Sequence, residues 1–332
     1  MQLKYVTKSL LPKTLFYFLK RWLSIFRFFL YMLKKYCGSR YLEVRLDTTN
    51  SCNLRCKYCY TLSYERSRPK TMTKDEFEKI ANDLFLRSES VALSCAWEPL
   101  MNKHFADYIS IAASYNIPHL FYVTNGQLLT DEVIKASILA PVHEVAISID
   151  AATKNLYEEI RENALFETVI NNLKKIFEFK KQFESVYPRI TINYTVFEEN
   201  CKDAPLFIQK YQEYIDTIYI GHLLLEKRND TVPYSRMSDE KFDGLIKLCE
   251  KAIHNNSVQL VYSGHSLQRK PILCDTALRY VNVSSNGDVK LCTKKVVGNL
   301  FNNSLDEITR ANKSALIKNY FAKDQYCRKC GV

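Results

Sequence analysis

The sequence predicts an α/β protein built on a barrel-like or open curved parallel sheet, with a small α+β unit at its C-terminal end and a long amphipathic helix at its start. Three observations lead there: short β-branched runs that alternate with amphipathic helical stretches from residue 41 to residue 220, a change to short elements and a cysteine cluster after residue 221, and a strongly basic, aromatic segment before residue 41. A chain of 332 residues is long enough for one large domain and a smaller one.

The first 40 residues carry nine of the 47 basic side chains and no acidic one, leaving 38 basic against 36 acidic in the rest. The body is therefore nearly neutral, which argues against a nucleic-acid partner despite a net charge of +11. Pro12 can open a helix, and no Gly or Pro interrupts Lys13 to Tyr36. At about 100° per residue, Lys13, Lys20, Arg21, Ser24, Arg27, Lys34 and Lys35 share one wedge with Tyr17, Phe28 and Tyr31, while Phe18, Trp22, Phe26, Phe29 and Leu33 lie opposite. Lys20, Arg21 and Arg27 interrupt the apolar run that a membrane span would need. An in-plane interfacial helix, its cationic side toward anionic headgroups, is the expectation. A helix docked on the body or in a dimer interface is the alternative.

Strands are expected at 41–48, 90–95, 118–124, 143–149, 189–196 and 216–220, and helices at 73–87, 102–115, 130–139, 154–182 (with a break) and 203–214. In such folds chemistry gathers at the C-terminal ends of the strands. Beyond the polar loop 221–238, a helix at 239–254 precedes short strands near 257–263, 279–284 and 288–292, the last two joined by the hairpin signal Asn286-Gly287. A helix near 305–319 and the pair Cys327 and Cys330 close the chain.

Eleven cysteines in a chain of this length do not make a secreted disulfide scaffold, and thiolate ligands call for a reducing, cytoplasmic compartment. Cys52, Cys56 and Cys59 follow the first strand within eight residues and can face one point. Three thiolates leave one iron of a 4Fe–4S cluster open, and the spacing differs from ferredoxin runs. A three-cysteine zinc site or chance clustering is the competing reading. The C-x3-C-x2-C run, with Tyr58 before its third cysteine, resembles the radical S-adenosylmethionine (SAM) superfamily.

Other residues extend the resemblance across 41–220. Glu98-Pro99 stands where the family has Gly-Gly-Glu-Pro, with Ala96 and Trp97 in place of the glycines; Thr124-Asn125-Gly126 matches the family's turn after the third strand; Ser148 and Asp150 close the fourth strand; and Arg161 lies eleven residues on. The resemblance implies a partial (β/α)6 TIM-like barrel of parallel strands. It also implies a SAM-binding 4Fe–4S cluster on Cys52, Cys56 and Cys59, and SAM contacts from Tyr58, Glu98, Asn125, Ser148, Asp150 and Arg161. Glu98 would accept from the SAM ammonium, Ser148 and Asp150 would meet the ribose, and Arg161 would bind the carboxylate.

Cys274, Cys292, Cys327 and Cys330, with Gly287 ahead of the second, resemble the C-terminal auxiliary-cluster domains called SPASM and twitch. Four cysteines imply one auxiliary 4Fe–4S cluster with complete thiolate ligation. A four-thiolate structural zinc suits the spacing equally. The domains expected are 1–40, a membrane-interface helix; 41–238, the radical SAM core; and 239–332, the auxiliary-cluster domain.

The implied activity is reductive cleavage of SAM to a 5′-deoxyadenosyl radical and hydrogen abstraction. The electron donor would be a flavodoxin or ferredoxin, and the substrate a small molecule, carbohydrate or lipid-linked compound that is oxidised. A peptide-modifying enzyme and a non-enzymatic membrane-bound cluster or zinc scaffold compete. No catalytic base stands out, although His222, Glu226 and Tyr234 lie in or near the loop after the sixth strand. The chain is expected in the cytoplasm, peripheral on the inner face of the cytoplasmic membrane.

Overall fold

The computed structural model describes residues 13–59, 61, 68–94, 96–223, 232–254, 258–263, 273–291 and 295–321, with side chains from Trp22 onward except 318 and 319. Pro12, Cys95, Glu226, Cys292, Cys327 and Cys330 lie outside the described residues. The strands are β1 (Leu42–Leu46), β2 (Arg55–Cys56), β3 (Ser88–Ala92), β4 (His119–Thr124), β5 (Glu144–Ser148), β6 (Arg161–Glu162), β7 (Arg189–Val196), β8 (Thr217–His222), β9 (Gln259–Tyr262), β10 (Tyr280–Val283), β11 (Asp288–Lys290) and β12 (Gly298–Asn299). The helices are α1 (Lys13–Tyr36), α2 (Lys74–Leu84), α3 (Phe105–Ser114), α4 (Asp131–Leu139), α5 (Lys154–Ile160), α6 (Phe166–Gln182), α7 (Asp203–Tyr211), α8 (Asp239–Ala252), α9 (Thr276–Arg279), α10 (Leu305–Ala311) and α11 (Lys313–Tyr320).

The expected six parallel strands lie side by side as β1-β3-β4-β5-β7-β8, each crossing to the next through helical segments. Sequential order with helical crossovers is the partial-barrel arrangement. The barrel is open, because β1 pairs on its far side with β10 and β8 with β9, both parallel. The C-terminal segment therefore supplies both margins of the same sheet, a continuity that the division at 238 did not anticipate. The β10-β11 hairpin turns at Gly287, whose φ of +80° is the left-handed geometry that an Asn-Gly turn provides.

Local chemistry sets the helix boundaries. Thr73 and Glu76 form a capping box at α2, Ser304 and Glu307 another at α10, and Thr130 and Ser238 accept from Val133 and Lys241 amides. Apolar faces meet between sheet and helices: Phe77 stacks on Tyr108 at 4.4 Å, and both are fully buried. The expected helix 305–319 is two helices that break at Asn312, whose amide bonds back to Val297 and Ile308 carbonyls. The stretch 154–182 breaks after Ile160; β6 and Asn163, at φ +69°, separate α5 from α6.

Helix α1 follows the expected span, and a Schellman motif ends it: Gly38 at φ +69° donates to the Lys35 carbonyl and Ser39 to that of Lys34. Its orientation corrects the sequence expectation. From Trp22 onward, the buried side is the cationic wedge: Ser24 and Phe28 are buried, Arg27 pairs with Asp275 at 2.7 Å, and Lys34 pairs with Glu89. The acids that draw this face inward lie 248 and 55 residues away in sequence, beyond the reach of a periodicity argument. No helix among the described residues is long and apolar enough to cross a membrane.

Candidate functional site

The cysteine loop begins where β1 ends. Asp47, one residue past the strand, accepts from the Ala96 amide at 2.9 Å and the Trp97 amide at 3.4 Å. This carboxylate ties the loop after β3, where Ala96 and Trp97 replace glycines, to the root of the cysteine loop. Farther along, Arg55 and Cys56 form a two-stranded antiparallel ribbon with Arg161 and Glu162, and Lys57 donates to the Ile160 carbonyl at 3.0 Å. The break after α5 thus sets Arg161 directly opposite Cys56.

Arg161 is 5% exposed, and its guanidinium meets three groups. Nε donates to Asp150 Oδ2 at 2.7 Å, Nη2 to Tyr58 Oη at 2.8 Å, and Nη1 approaches Cys56 Sγ at 3.8 Å. Tyr58 Oη also donates to Asp150 Oδ2 at 2.6 Å. The other Asp150 oxygen accepts from the Thr195 amide at 2.8 Å, and Asn200 holds the Asp150 carbonyl. Burial opposes the Arg161 charge, and the facing Asp150 carboxylate more than restores it, so the guanidinium stays firmly protonated. Burial pushes the Tyr58 hydroxyl far above its ordinary range, so it remains a donor. Asp150 is wholly buried and its carboxylate is committed to Tyr58, Arg161 and Thr195. These bonds tie Asp150 to Tyr58 of the cysteine loop and to Arg161 opposite Cys56.

A second buried carboxylate organises the other side. Glu98, 3% exposed, accepts from Thr124 Oγ1 at 2.6 Å, the Asn125 amide at 2.7 Å and the Leu100 amide at 3.2 Å. Burial raises its pKa to about 7, with the Asn125 amide bond opposing the shift. Asn125 Nδ2 reaches back to Asn53 Oδ1 in the cysteine loop at 2.8 Å. The turn needs Gly126: φ is +78°, and a Cβ there would lie 2.8 Å from the Ile147 side chain. Ser148 ends β5 half-buried.

The three cysteines are partly buried and reduced. Burial raises the Cys56 thiol to about 12 and also raises Cys52, so binding of iron by these thiols must release protons. Among the described residues no three Cys, His, Asp or Glu side chains converge to hold a single ion. In a cubane each thiolate meets its own iron, so three thiols on one eight-residue loop suit a cluster that keeps one iron open.

Sequence reasoning overlooked Asp47, Asn53 and Asn200, which connect the loops. A signal for the first was available, in an acid closing a strand at the end of the sheet where chemistry gathers. Of the residues near the sixth strand, His222 stacks on Phe242 at 3.8 Å, and Tyr234 stacks on Phe197 at 4.3 Å with its hydroxyl buried. Cys274 is buried and donates its amide to the Tyr320 carbonyl at 2.8 Å; its expected partners Cys292, Cys327 and Cys330 lie outside the described residues.

An open parallel α/β barrel with a thiol-rich loop at the C-terminal end of its first strand places three candidate ligands where such folds gather their chemistry. The chain belongs to the radical SAM superfamily, whose profile matches residues 46–205, and an iron–sulfur cluster-binding SPASM domain matches residues 274–331. It is an enzyme of that family, with SAM, a 4Fe–4S cluster and auxiliary iron–sulfur ligation as its cofactors and a need for a reductant.

A probable GTP 3′,8-cyclase of Methanocaldococcus jannaschii is 28% identical over 52% of this chain, a match that spans just over half of that relative, 56%. A GTP 3′,8-cyclase of Pasteurella multocida is 25% identical over 76% of this chain and 78% of its own. The structure of Streptococcus suis SuiB bound to S-adenosylmethionine superposes with a TM-score of 0.69 at 16% identity, covering 88% of this chain and 71% of that one.

Proposed function

We propose that Cys52, Cys56 and Cys59 hold the SAM-binding 4Fe–4S cluster and that Tyr58, Asp150 and Arg161 fix the loop that presents them. When bound, the reduced cluster supplies the electron that cleaves SAM to methionine and the 5′-deoxyadenosyl radical, which takes a hydrogen atom from substrate. The observation that carries this reading is the Arg161 fork, 3.8 Å from Cys56 Sγ and anchored on a fully buried carboxylate. An N–H donor aimed at a ligating sulfur stabilises the more reduced cluster and orients its ligand. Glu98, Asn125 and Ser148 line the adjacent strand ends and are assigned to SAM. The Glu98 carboxylate already accepts three bonds, which leaves it one lone-pair direction for an ammonium.

Residues 239–332 are assigned as the auxiliary-cluster domain, with Cys274, Cys292, Cys327 and Cys330 as its ligands, although two of its strands complete the margins of the core sheet. Complete thiolate ligation gives an electron-transfer role, so the favoured outcome is two-electron oxidation of a carbohydrate, glycolipid or other small molecule. A peripheral position on the inner face of the cytoplasmic membrane, and a lipid-linked substrate, belong to the same reading through α1. A second reading is a cyclase-type rearrangement of a purine nucleotide, favoured by the similarity to the P. multocida GTP 3′,8-cyclase over three quarters of this chain.

Anaerobic reconstitution with dithionite, SAM and deuterated candidates separates them. Deuterium entering 5′-deoxyadenosine from a glycolipid or sugar supports the first reading, and deuterium from labelled GTP supports the second. No 5′-deoxyadenosine under any condition would reject both.

A further inference from the structure

We propose that α1 seats this protein on a lipid bilayer with its apolar face outward, while the body clamps the cationic face of the same helix. This inference rests on the peripheral-membrane reading and fixes which face meets the lipid and what holds the other.

The clamp consists of named contacts. Arg27 reaches Asp275 at 2.7 Å, and Asp275 also accepts from Arg279 Nε at 3.3 Å. The Arg279 guanidinium lies 4.8 Å from the centre of the Tyr31 ring and pairs with Glu43 at the start of β1. Phe28 packs edge-on against Tyr320 at 5.3 Å, and Lys34 pairs with Glu89 on β3. The partners thus come from the sheet margin and from the segment that follows Cys274. Side chains that usually face water on an amphipathic helix are here turned to the protein.

The outward side is the reverse of a soluble surface. Leu23, Phe26, Phe29 and Leu33 are 52%, 67%, 61% and 58% exposed, and Leu30 and Met32 flank them at 39% and 40%. Leu23 and Met32 bound a stripe about 180° wide at about 100° per residue. That is broader than the two-position seam on which paired helices close, and it suits the wide apolar face of a helix lying in the interface plane. Charge selects the occupant. Residues 1–40 hold nine basic side chains and no acid, and Asp275 and Glu89 match two of the nine, so packing this face on a second copy would bring together two segments that each keep an excess of positive charge. A bilayer with anionic lipids complements them instead. Arg27 and Lys34 are already matched by Asp275 and Glu89, so apolar insertion supplies the binding and those two cations do not.

The test is cosedimentation of the reconstituted full chain with phosphatidylcholine vesicles containing phosphatidylglycerol, run alongside two double variants. Both exchange only helix positions remote from the cysteine loop, and cluster absorbance and analytical ultracentrifugation report on folding and oligomeric state. The parent chain is expected to pellet with the vesicles. Phe26→Glu/Leu33→Glu is expected to lower the partition coefficient by about tenfold or more, and Arg27→Ala/Lys34→Ala to keep it within about twofold. A parent chain that stays in the supernatant overturns both the membrane reading and this inference. Loss of binding in the arginine–lysine variant, with retention in the phenylalanine–leucine variant, overturns the face assignment and leaves the membrane reading standing. A dimer that the phenylalanine–leucine variant converts to monomer, with no vesicle binding by the parent, gives the face to a second copy and overturns the proposal.

Discussion

Two arginine–aspartate pairs hold this molecule together at very different depths. Arg161 and Asp150 meet inside the protein, 5% and 0% exposed, with Tyr58 and the Thr195 amide completing the carboxylate's shell. Arg27 and Asp275 meet at the margin, where the arginine side chain is 40% exposed. The chemistry is the same, but water reaches the arginine of one pair and neither member of the other. The inner pair is costly to build and punishing to break, which suits it to fixing one geometry for the cysteine loop. The outer pair is cheap and replaceable, and serves to set which way a helix faces.

The contrast is most easily broken at the inner pair. Arg161→Ala leaves a fully buried carboxylate without its cation, and urea unfolding of the apo chain is expected to show a loss of about 3–5 kcal/mol. A loss within that of a surface pair would mean that Asp150 is already satisfied by its other donors.

Glu98 offers a second probe of the interior, through pH. Its folded pKa lies near 7, above the ordinary carboxylate value of 4.5. The folded state therefore binds the proton more tightly than the unfolded chain. The associated stability is present below about pH 4.5 and is lost as pH rises through about 7, an effect of about 3 kcal/mol at most. Glu98→Gln should flatten this part of the pH profile because it removes the titrating group, at a pH-independent cost, since Thr124 donates to Oε1 and Asn125 to Oε2 and one amide oxygen replaces only one of these acceptors; an unchanged profile would remove Glu98 as its source.

Two glycines sharpen the comparison further. Gly126 and Gly38 both have left-handed backbones, at φ +78° and +69°. At Gly126 an added Cβ also meets Ile147 at 2.8 Å, whereas at Gly38 nothing lies within 4 Å. Thermal denaturation should place Gly126→Ala at about 2 kcal/mol or more, with contact and strain both contributing, and Gly38→Ala at about 1 kcal/mol from the backbone alone. Equal losses would mean that the sheet yields around Ile147. The smallest effect is expected at the outer pair, where Arg27→Ala should cost less than about 1 kcal/mol in the same measurement.

What the sequence disclosed follows the range of the interactions. The C-x3-C-x2-C run, the Thr124-Asn125-Gly126 turn and the Asn286-Gly287 hairpin are local, and the structure puts each at the strand end or turn expected. The position of Arg161 beside Cys56 depends on where the expected break in 154–182 falls, and the sequence pattern does not place it after Ile160. The pairing of Asp150 with Arg161 and Tyr58 was hidden for the same reason, since it depends on where α5 ends. The facing of α1 was invisible to periodicity, which finds two faces but cannot say which one the protein supplies with acids. Asp275 and Glu89 decided that from distant parts of the chain.

The central claim is that three thiolates of the loop after β1 leave one iron for SAM. It is tested most directly by comparing anaerobically reconstituted parent chain with a Cys52→Ala/Cys56→Ala/Cys59→Ala variant. Iron content, the reduced electron paramagnetic resonance signal with and without SAM, and 5′-deoxyadenosine formation would be recorded on both. The account predicts about eight irons in the parent and about four in the variant, a signal that shifts with SAM in the parent alone, and no 5′-deoxyadenosine from the variant. A variant that still forms 5′-deoxyadenosine, or a parent whose signal ignores SAM, would contradict it.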